Sequence, residues 1–239
     1  MGCEKIRIPG GLLHSYGVDL TGTFYNHVLV NAPNEFSLEQ TEAEFAKRKL
    51  PFSVKIPKLR LYENIENSLQ KAGYTLVPVW NLMVLEGKPT GLRNVDLKIE
   101  RANAIEFSEW IAVSNQDNLA SRRHLTQQMV RKVAEREGVH LLLAKLDNRP
   151  VGRGLLYSKD EIASIHMMSV VPEFRRKHVA TTIVLDALAR LKEERVNLKW
   201  LRTRKGGIGA KVYLQLGFTP AVDILTYTMT PGLDQAMTG

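Results

Sequence analysis

The chain has 239 residues, 44% of them hydrophobic and 24% charged, enough for one large domain or two small ones with real cores. No apolar run approaches the roughly 18 residues of a membrane span, and the single cysteine, Cys3, excludes an internal disulfide framework and any cysteine-based zinc site. The formal charge of +8 is uneven, because residues 1–95 hold 11 Lys+Arg against 9 Asp+Glu and residues 96–239 hold 22 against 16. The basic second half suits a polyanionic partner, and charge alone leaves nucleic acid and a small phosphorylated cofactor both open.

The N-terminal stretch MGCEKIRIPGG has no secretory h-region, and Ile6 stands where myristoylation needs Ser or Thr. A reducing cytoplasm is the expected compartment. TFYNHVLV reads as a strand. SLEQTEAEFAKRK follows as a helix, with Ser37 as N-cap and Gln40 completing a capping box, and then PFSVKIP as a strand. LYENIENSLQKAG places Leu61, Ile65 and Leu69 on one helical face before Gly73 ends it, and YTLVPVWNLMVL returns as a strand. EGKPTGLRNVD, with Gly87, Pro89 and Gly91, interrupts two apolar segments near residues 86–96 and reads as a linker.

Beyond it, LKIERA is a strand and residues 104–137 are helical, ending in the amphipathic LTQQMVRKVAERE. VHLLLAKLD and RPVGRGLLYS form a hairpin turning at Asn148, without the usual Asn-Gly signal. IASIHMMSVV is a strand, ATTIVLDALARLKEE a helix, NLKWLRT a strand, GAKVYLQLG a short helix and FTPAVDILTYTM a final strand. The expected domains are therefore 1–90, a small α/β unit, and 96–230. The first half also echoes the second: SLQKAGYTLVPVWNLMV parallels YLQLGFTPAVDILTYTM, each with a leucine, a glycine followed by an aromatic, and a strand with a methionine near its end. An unrelated small α/β domain is the alternative to such a repeat.

The most informative stretch is residues 170–185, VVPEFRRKHVATTIVL. An apolar strand runs through a proline into a cluster of bases and directly into a helix, which converges unpaired backbone N–H groups and positive charge on one point. That is an anion site. Its residues resemble the pyrophosphate-binding segment of the GNAT superfamily of acyl-CoA-dependent N-acyltransferases, V-x-P-x-[YF]-[RQ]-x-x-G-x-[GA]. Val170, Pro172, Phe174, Arg175 and Ala180 fill their places, and His178 stands where the family most often has glycine. A second family motif, A-x-x-Y-x-x-x-G-F, is filled by Ala210, Tyr213, Gly217 and Phe218, with Gly206 in place of the asparagine that commonly precedes it.

The resemblance covers about residues 96–230. It implies an α/β (α+β) GNAT fold, a mixed and mostly antiparallel splayed sheet flanked by helices, preceded by a smaller, degenerate GNAT-like domain without a CoA site. The implied cosubstrate is acetyl-CoA, with no metal. Its pyrophosphate would meet backbone N–H groups from Arg176, Lys177, His178, Val179, Ala180 and Thr181, with charge added by Arg175, Arg176 and Lys177. Its carbonyl would meet backbone N–H of Val170 or Val171, and its pantetheine arm would pair with the splayed strand edge. Tyr213 matches the family's tyrosine, which would donate a proton to the leaving thiolate or hydrogen-bond its sulfur.

Strand alternation puts Ser164, His166, Met168 and Val170 on one face. In arylalkylamine N-acetyltransferases two histidines occupy the places of Ser164 and His166, so His166 matches the second and is the candidate base, with an imidazole expected near its ordinary pKa of about 6.5. Water relaying the proton to Glu161 or to solvent is the competitor. Arg202, Arg204, Lys205 and Lys211 suit either the adenosine 3′-phosphate or an acidic acceptor. RKGGIGAK lacks the spacing of a nucleotide phosphate loop, and RRHLTQQMVRK at 122–132 is expected to wall the acceptor site.

The leading expectation is an N-acetyltransferase passing an acetyl group from acetyl-CoA to a primary amine by direct attack. The acceptor would be a small-molecule amine or a peptide amine, and a homodimer is compatible with the reading. A catalytically weak acyl-CoA-sensing or interaction module is the alternative, and nucleic-acid binding is disfavoured because the basic stretches lack interleaved aromatics.

Overall fold

A computed structural model of the chain describes residues 4–15, 23, 26–103, 106–115, 127–191 and 196–229. Cys3, residues 122–126 of the basic helical stretch and residues 192–194 of the helix read at 180–194 lie outside the described residues. The backbone forms two compact units, Met1–Asn81 with Val222–Gly239, and Leu82–Ala221.

The first unit opens with a hairpin, β1 (Glu4–Ile8) and β2 (Gly11–Ser15), which the sequence reading does not contain. Its signal is the Pro9-Gly10-Gly11 turn between short apolar alternations. A Cβ at Gly10 would stand 2.3 Å from the backbone nitrogen of Phe36, and its φ is +69°, so only glycine fits. β3 (His27–Val30), α1 (Leu38–Lys47), β4 (Ser53–Pro57) and α2 (Glu63–Lys71) follow. The Ser37 hydroxyl accepts the Gln40 N–H at 3.2 Å, as the capping box requires. β3 and β4 are parallel, and β4 pairs antiparallel with residues 224–228 of β11 (Phe218–Thr228). Val28, Val30, Val54, Ile56, Leu225 and Tyr227 alternate inward against Ile65 and Leu69 of α2. Leu61 is not on that face: Arg60–Tyr62 form a 3-10 turn, so Tyr62 is buried and Leu61 is exposed.

The second unit contains the end of β5 (Thr75–Leu85), then β6 (Lys98–Arg101), α3 (Phe107–Asn115), α4 (Gln127–Ala134), β7 (Val139–Leu146), β8 (Arg149–Lys159), β9 (Ile162–Val170), α5 (Val179–Arg190), β10 (Leu198–Arg204) and α6 (Ile208–Gln215). Its strands lie in the order β10-β9-β8-β7-β6, all antiparallel except β9 with β10. The β7–β8 turn puts both Asp147 and Asn148 at positive φ, a conformation those residues tolerate without Asn-Gly.

One sheet face packs Leu142, Leu156, Ile165 and Leu201 against Ile183 and Val184 of α5, and the other packs Leu141, Leu143 and Leu155 against Trp110 and Ile111 of α3. The helix α5 lies very close to β8, where a Cβ at Gly152 would meet Val179 Cγ1 at 2.5 Å and one at Gly154 would meet Ile183 Cγ2 at 3.0 Å. On the opposite face the Trp110 indole N–H donates to Gly154 O at 3.1 Å. Lys145 ties α3 to the sheet through Glu106 and Glu109.

The stretch read as a linker, 86–96, is irregular but bonded to the second unit. Thr90 donates to Leu216 O and Gln215 O, Arg93 to Leu185 O, and Asn94 to the Thr182 hydroxyl and to Lys177 O. The two halves share one order of elements. β3, a 3-10 turn (Pro33–Glu35), α1, the parallel β4, α2 and β5 correspond to β9, a 3-10 turn (Pro172–Phe174), α5, the parallel β10, α6 and β11.

Candidate active site

The site begins where two strands part. β9 and β10 pair in parallel from Ile162–Leu198 to Ile165–Leu201 and no further, although β9 continues to Val170 and β10 to Arg204. Past Ile165 the sheet is splayed. On its other edge β9 stays paired with β8 as far as Gly152–Val170, and the Val171 N–H donates to Val151 O at 2.9 Å. Since N–H groups alternate along a strand, the Val170 N–H points away from β8 into the splay. The Val170 N–H is therefore left to the splay, whereas the Val171 N–H is consumed by the sheet.

β9 also carries a bulge. Arg153 opposes Ser169 and Leu155 opposes His166, so two residues, Met167 and Met168, oppose Gly154, and Met167 has φ +53°. The extra residue resets the alternation. Ser164 and His166 share the α3 face, while Met168 and Val170 turn to the α5 face and pack with its core. The four residues are thus not on one face, and the bulge is the cause.

Beyond Val170 the chain makes the 3-10 turn at Pro172–Phe174 and enters α5. Thr182 is the first residue of α5 to bond back, to His178 O at 2.9 Å, so the N–H groups of Val179, Ala180 and Thr181 have no intrahelical acceptor. Arg175, Arg176, Lys177 and His178 are all exposed around them. Lys177 and Arg149 approach the Phe174 ring at 5.1 and 5.0 Å. His178, the N-cap, has φ +57° and ψ +16°, the left-handed region that glycine enters freely and an L-residue enters at a cost of about 1–2 kcal/mol. That conformation is the physical reason a glycine is favoured at this place. The corresponding turn in the first unit, residues 33–37, contains Glu35 and no Lys or Arg.

Two titratable groups flank the splay from opposite faces. Tyr213 of α6 is buried in the α5-side core that also takes in Met168, Val170 and Val179, edge-on to Phe218 at 6.0 Å. Burial pushes its phenol up to about 12, so it stays a proton donor at any working pH. His166, on the α3 face, shares a 2.7 Å hydrogen bond between Nε2 and the Ser164 hydroxyl and meets Trp200 of β10 edge-on at 5.3 Å. Burial, and then the charge of Arg202, push its imidazole down to about 4, well below the expected ordinary value. Glu161 is tied to Asn197 at the far end of β9, about 16 Å of strand away from His166, which removes it from the site. The residues that the sequence reading passes over are Met167, whose bulge turns the strand, Asn94, which secures the start of α5, and buried Arg153. Arg153 lies on the α3 face with its guanidinium 3.9 Å over the Trp110 ring. Among the described residues no group of three or more metal-ligating side chains occurs.

Residues 100–218 match the model of the acetyltransferase (GNAT) family. The fold is similar to that of a GCN5-related N-acetyltransferase from Kribbella flavida, at 17% identity and a TM-score of 0.74, over 99% of this chain and 92% of that one. A GCN5-related N-acetyltransferase from Sphaerobacter thermophilus is similar at 12% identity and a TM-score of 0.70, over 93% and 78% of the two chains. A tandem GNAT protein from the clavulanic acid biosynthesis pathway is similar at 14% identity and a TM-score of 0.61, over 91% and 78%. No curated protein matches the chain.

Proposed function

Residues 100–218 belong to the GNAT acetyltransferase family, and on that premise we propose that this acyltransferase moves an acetyl group from acetyl-CoA to a primary amine by direct attack. The observation that carries the proposal is the end of β9–β10 pairing at Ile165–Leu201, which opens a strand edge leading to the unsatisfied N–H groups and bases at the start of α5.

The pyrophosphate sits at the N–H groups of Val179, Ala180 and Thr181, with Arg176, Lys177 and His178 around it and Arg175 adding charge. The pantetheine arm lies along the free edge of β9 as an added strand would. The Val170 N–H, aimed into the splay, polarises the thioester carbonyl. A neutral amine arriving on the α3 face attacks the carbonyl carbon, forming the C–N bond as the carbonyl electron pair moves to oxygen. Nitrogen then becomes far more acidic than a free ammonium, so an imidazole held near 4 can still take its proton, directly or through one water. Collapse breaks the C–S bond, and the thiolate leaves on the Tyr213 side. Tyr213 donates a hydrogen bond to the sulfur as charge develops. Since the phenol near 12 is a weaker acid than a thiol of about 8.5, the sulfur takes its proton finally from solvent through that bond.

The test is acetyl-CoA turnover across a broad panel of amines, followed by release of free CoA thiol. Acetyl transfer above the hydrolysis background to at least one primary amine is expected. Binding of acetyl-CoA with no transfer to any amine would instead favour the acyl-CoA-sensing module.

A further inference from the structure

The segment 90–97 lies against the start of α5, and its hydrogen bonds converge on two carbonyls there. The Asn94 Nδ2 donates to Lys177 O at 3.1 Å, and the Asn94 backbone N–H donates to the Thr182 hydroxyl at 2.9 Å. That hydroxyl donates in turn to His178 O at 2.8 Å. The orientation of the Asn94 amide is set by its own Oδ1, which accepts the Asp96 N–H at 3.0 Å and leaves Nδ2 to Lys177. The segment is held on both sides of Asn94: Thr90 bonds to Gln215 O and Leu216 O, and Leu97 packs on the α5-side core. It passes close over α5 at Gly91, whose φ is +127° and where a Cβ would stand 3.0 Å from Thr181 Cγ2.

A planar trans peptide unit carries a carbonyl on one side and the next residue's N–H on the other. Pinning Lys177 O therefore aims the His178 N–H, and pinning His178 O aims the Val179 N–H. The turn needs that support, because Arg176 and His178 both have positive φ, +60° and +57°. An L-residue enters that region at a cost, and such a backbone persists only where its surroundings over-determine it. Resting on the transferase reading above and on its pyrophosphate site, we propose that Asn94 is a positioning residue for acetyl-CoA. It holds the 177–179 backbone so that the N–H groups of His178 and Val179 converge on the pyrophosphate with those of Ala180 and Thr181. It acts through Lys177 O and the Thr182 hydroxyl, and it works by preorganisation. The pyrophosphate is remote from the reacting carbonyl and is held equally before and during transfer, so losing this support weakens binding without slowing the chemical step.

The test combines steady-state kinetics of Asn94→Ala with an accepted primary amine and calorimetric Kd values for CoA and dephospho-CoA, which keeps the pyrophosphate and lacks the 3′-phosphate. In Asn94→Ala the KM for acetyl-CoA should rise about fivefold or more, the scale of one hydrogen bond, while kcat and the KM for the amine stay within about twofold of wild type. The Kd values for CoA and dephospho-CoA should rise by the same factor. Thr182→Val removes the hydroxyl that links Asn94 to His178 O and should give the same pattern, so it carries the test if Asn94→Ala fails to fold. An unchanged KM and Kd, a loss for CoA that dephospho-CoA does not share, or equal losses in kcat and both KM values overturn the inference while leaving transfer intact. Binding of CoA without transfer to any amine overturns the transferase reading, and the paired Kd values then decide this inference alone. A wild-type protein that binds no CoA overturns both.

Discussion

At the scale of single residues, chemistry depends on groups whose properties come from their surroundings. His166 shows this most clearly. Its imidazole is lowered to about 4, first by burial and then by Arg202, so the acid limb of kcat/KM should fall near pH 4 and not near 6.5. The unfolded chain binds a proton below about 6.5 that the folded one refuses until about 4, so stability falls as the pH is lowered through that window. Urea denaturation at pH 7 and pH 4.5 should show a larger loss for the wild type than for His166→Gln; equal losses would contradict the lowered imidazole. Tyr213→Phe should reduce kcat about a hundredfold, the scale of a lost hydrogen bond to charge that develops in the transition state, with acetyl-CoA affinity little changed. Preserved kcat would remove Tyr213 from the leaving-group step. His178→Gly should relieve left-handed strain and open the approach to the N–H groups of α5. Tighter CoA binding in calorimetry is expected, with a melting temperature no lower than wild type, and weaker binding would contradict it. The Val170–Ala180 and Ala210–Phe218 motifs are legible in sequence because local backbone demands dictate their residue types. The imidazole's depression is not legible, because Arg202 lies 36 positions away and meets His166 only through strand register.

At the scale of elements, β9 and α5 decide the site together. The bulge at Met167 is invisible to a period-2 reading, since one extra residue moves every later side chain to the other face. It is what places Val170 with the α5 core while His166 stays on the α3 face. α5 can come down onto β8 only because Gly152 and Gly154 leave room. In Gly152→Ala the new methyl would meet Val179 at the first turn of α5, where the N–H groups proposed to hold the pyrophosphate are. The expected result is a loss of about 1–3 kcal/mol in urea denaturation, as overpacking gives, together with weaker CoA binding. An unperturbed variant would show that α5 is not pinned there. The helix and strand positions of the second unit are largely legible from periodicity and capping. The β1–β2 hairpin is missed because its strands are only five residues each and its turn carries Pro-Gly-Gly in place of Asn-Gly. The segment 86–96 resembles a linker in composition and becomes a strap only through tertiary bonds such as Asn94 to Lys177 O.

At the scale of the whole molecule, the same succession of strand, 3-10 turn, helix, parallel strand, helix and strand occurs twice, and only the second copy has a basic turn between its first strand and first helix. The contrast lies in a few residues: Arg175, Arg176 and Lys177 precede α5, whereas Phe36 and Ser37 precede α1. The second copy also carries most of the excess charge. The faint sequence echo between the halves is legible at the glycine-aromatic strand starts, and the 3-10 turns after β3 and β9 extend it to places where the sequences share little beyond a proline, a glutamate and a phenylalanine. The central claim, that one half alone takes acyl-CoA, is tested most directly by calorimetric titration of the full chain with acetyl-CoA. The account predicts saturable binding of one molecule per chain, abolished or strongly weakened when Arg175, Arg176 and Lys177 are replaced together by Gln. No heat of binding, two molecules per chain, or binding indifferent to that replacement would contradict it.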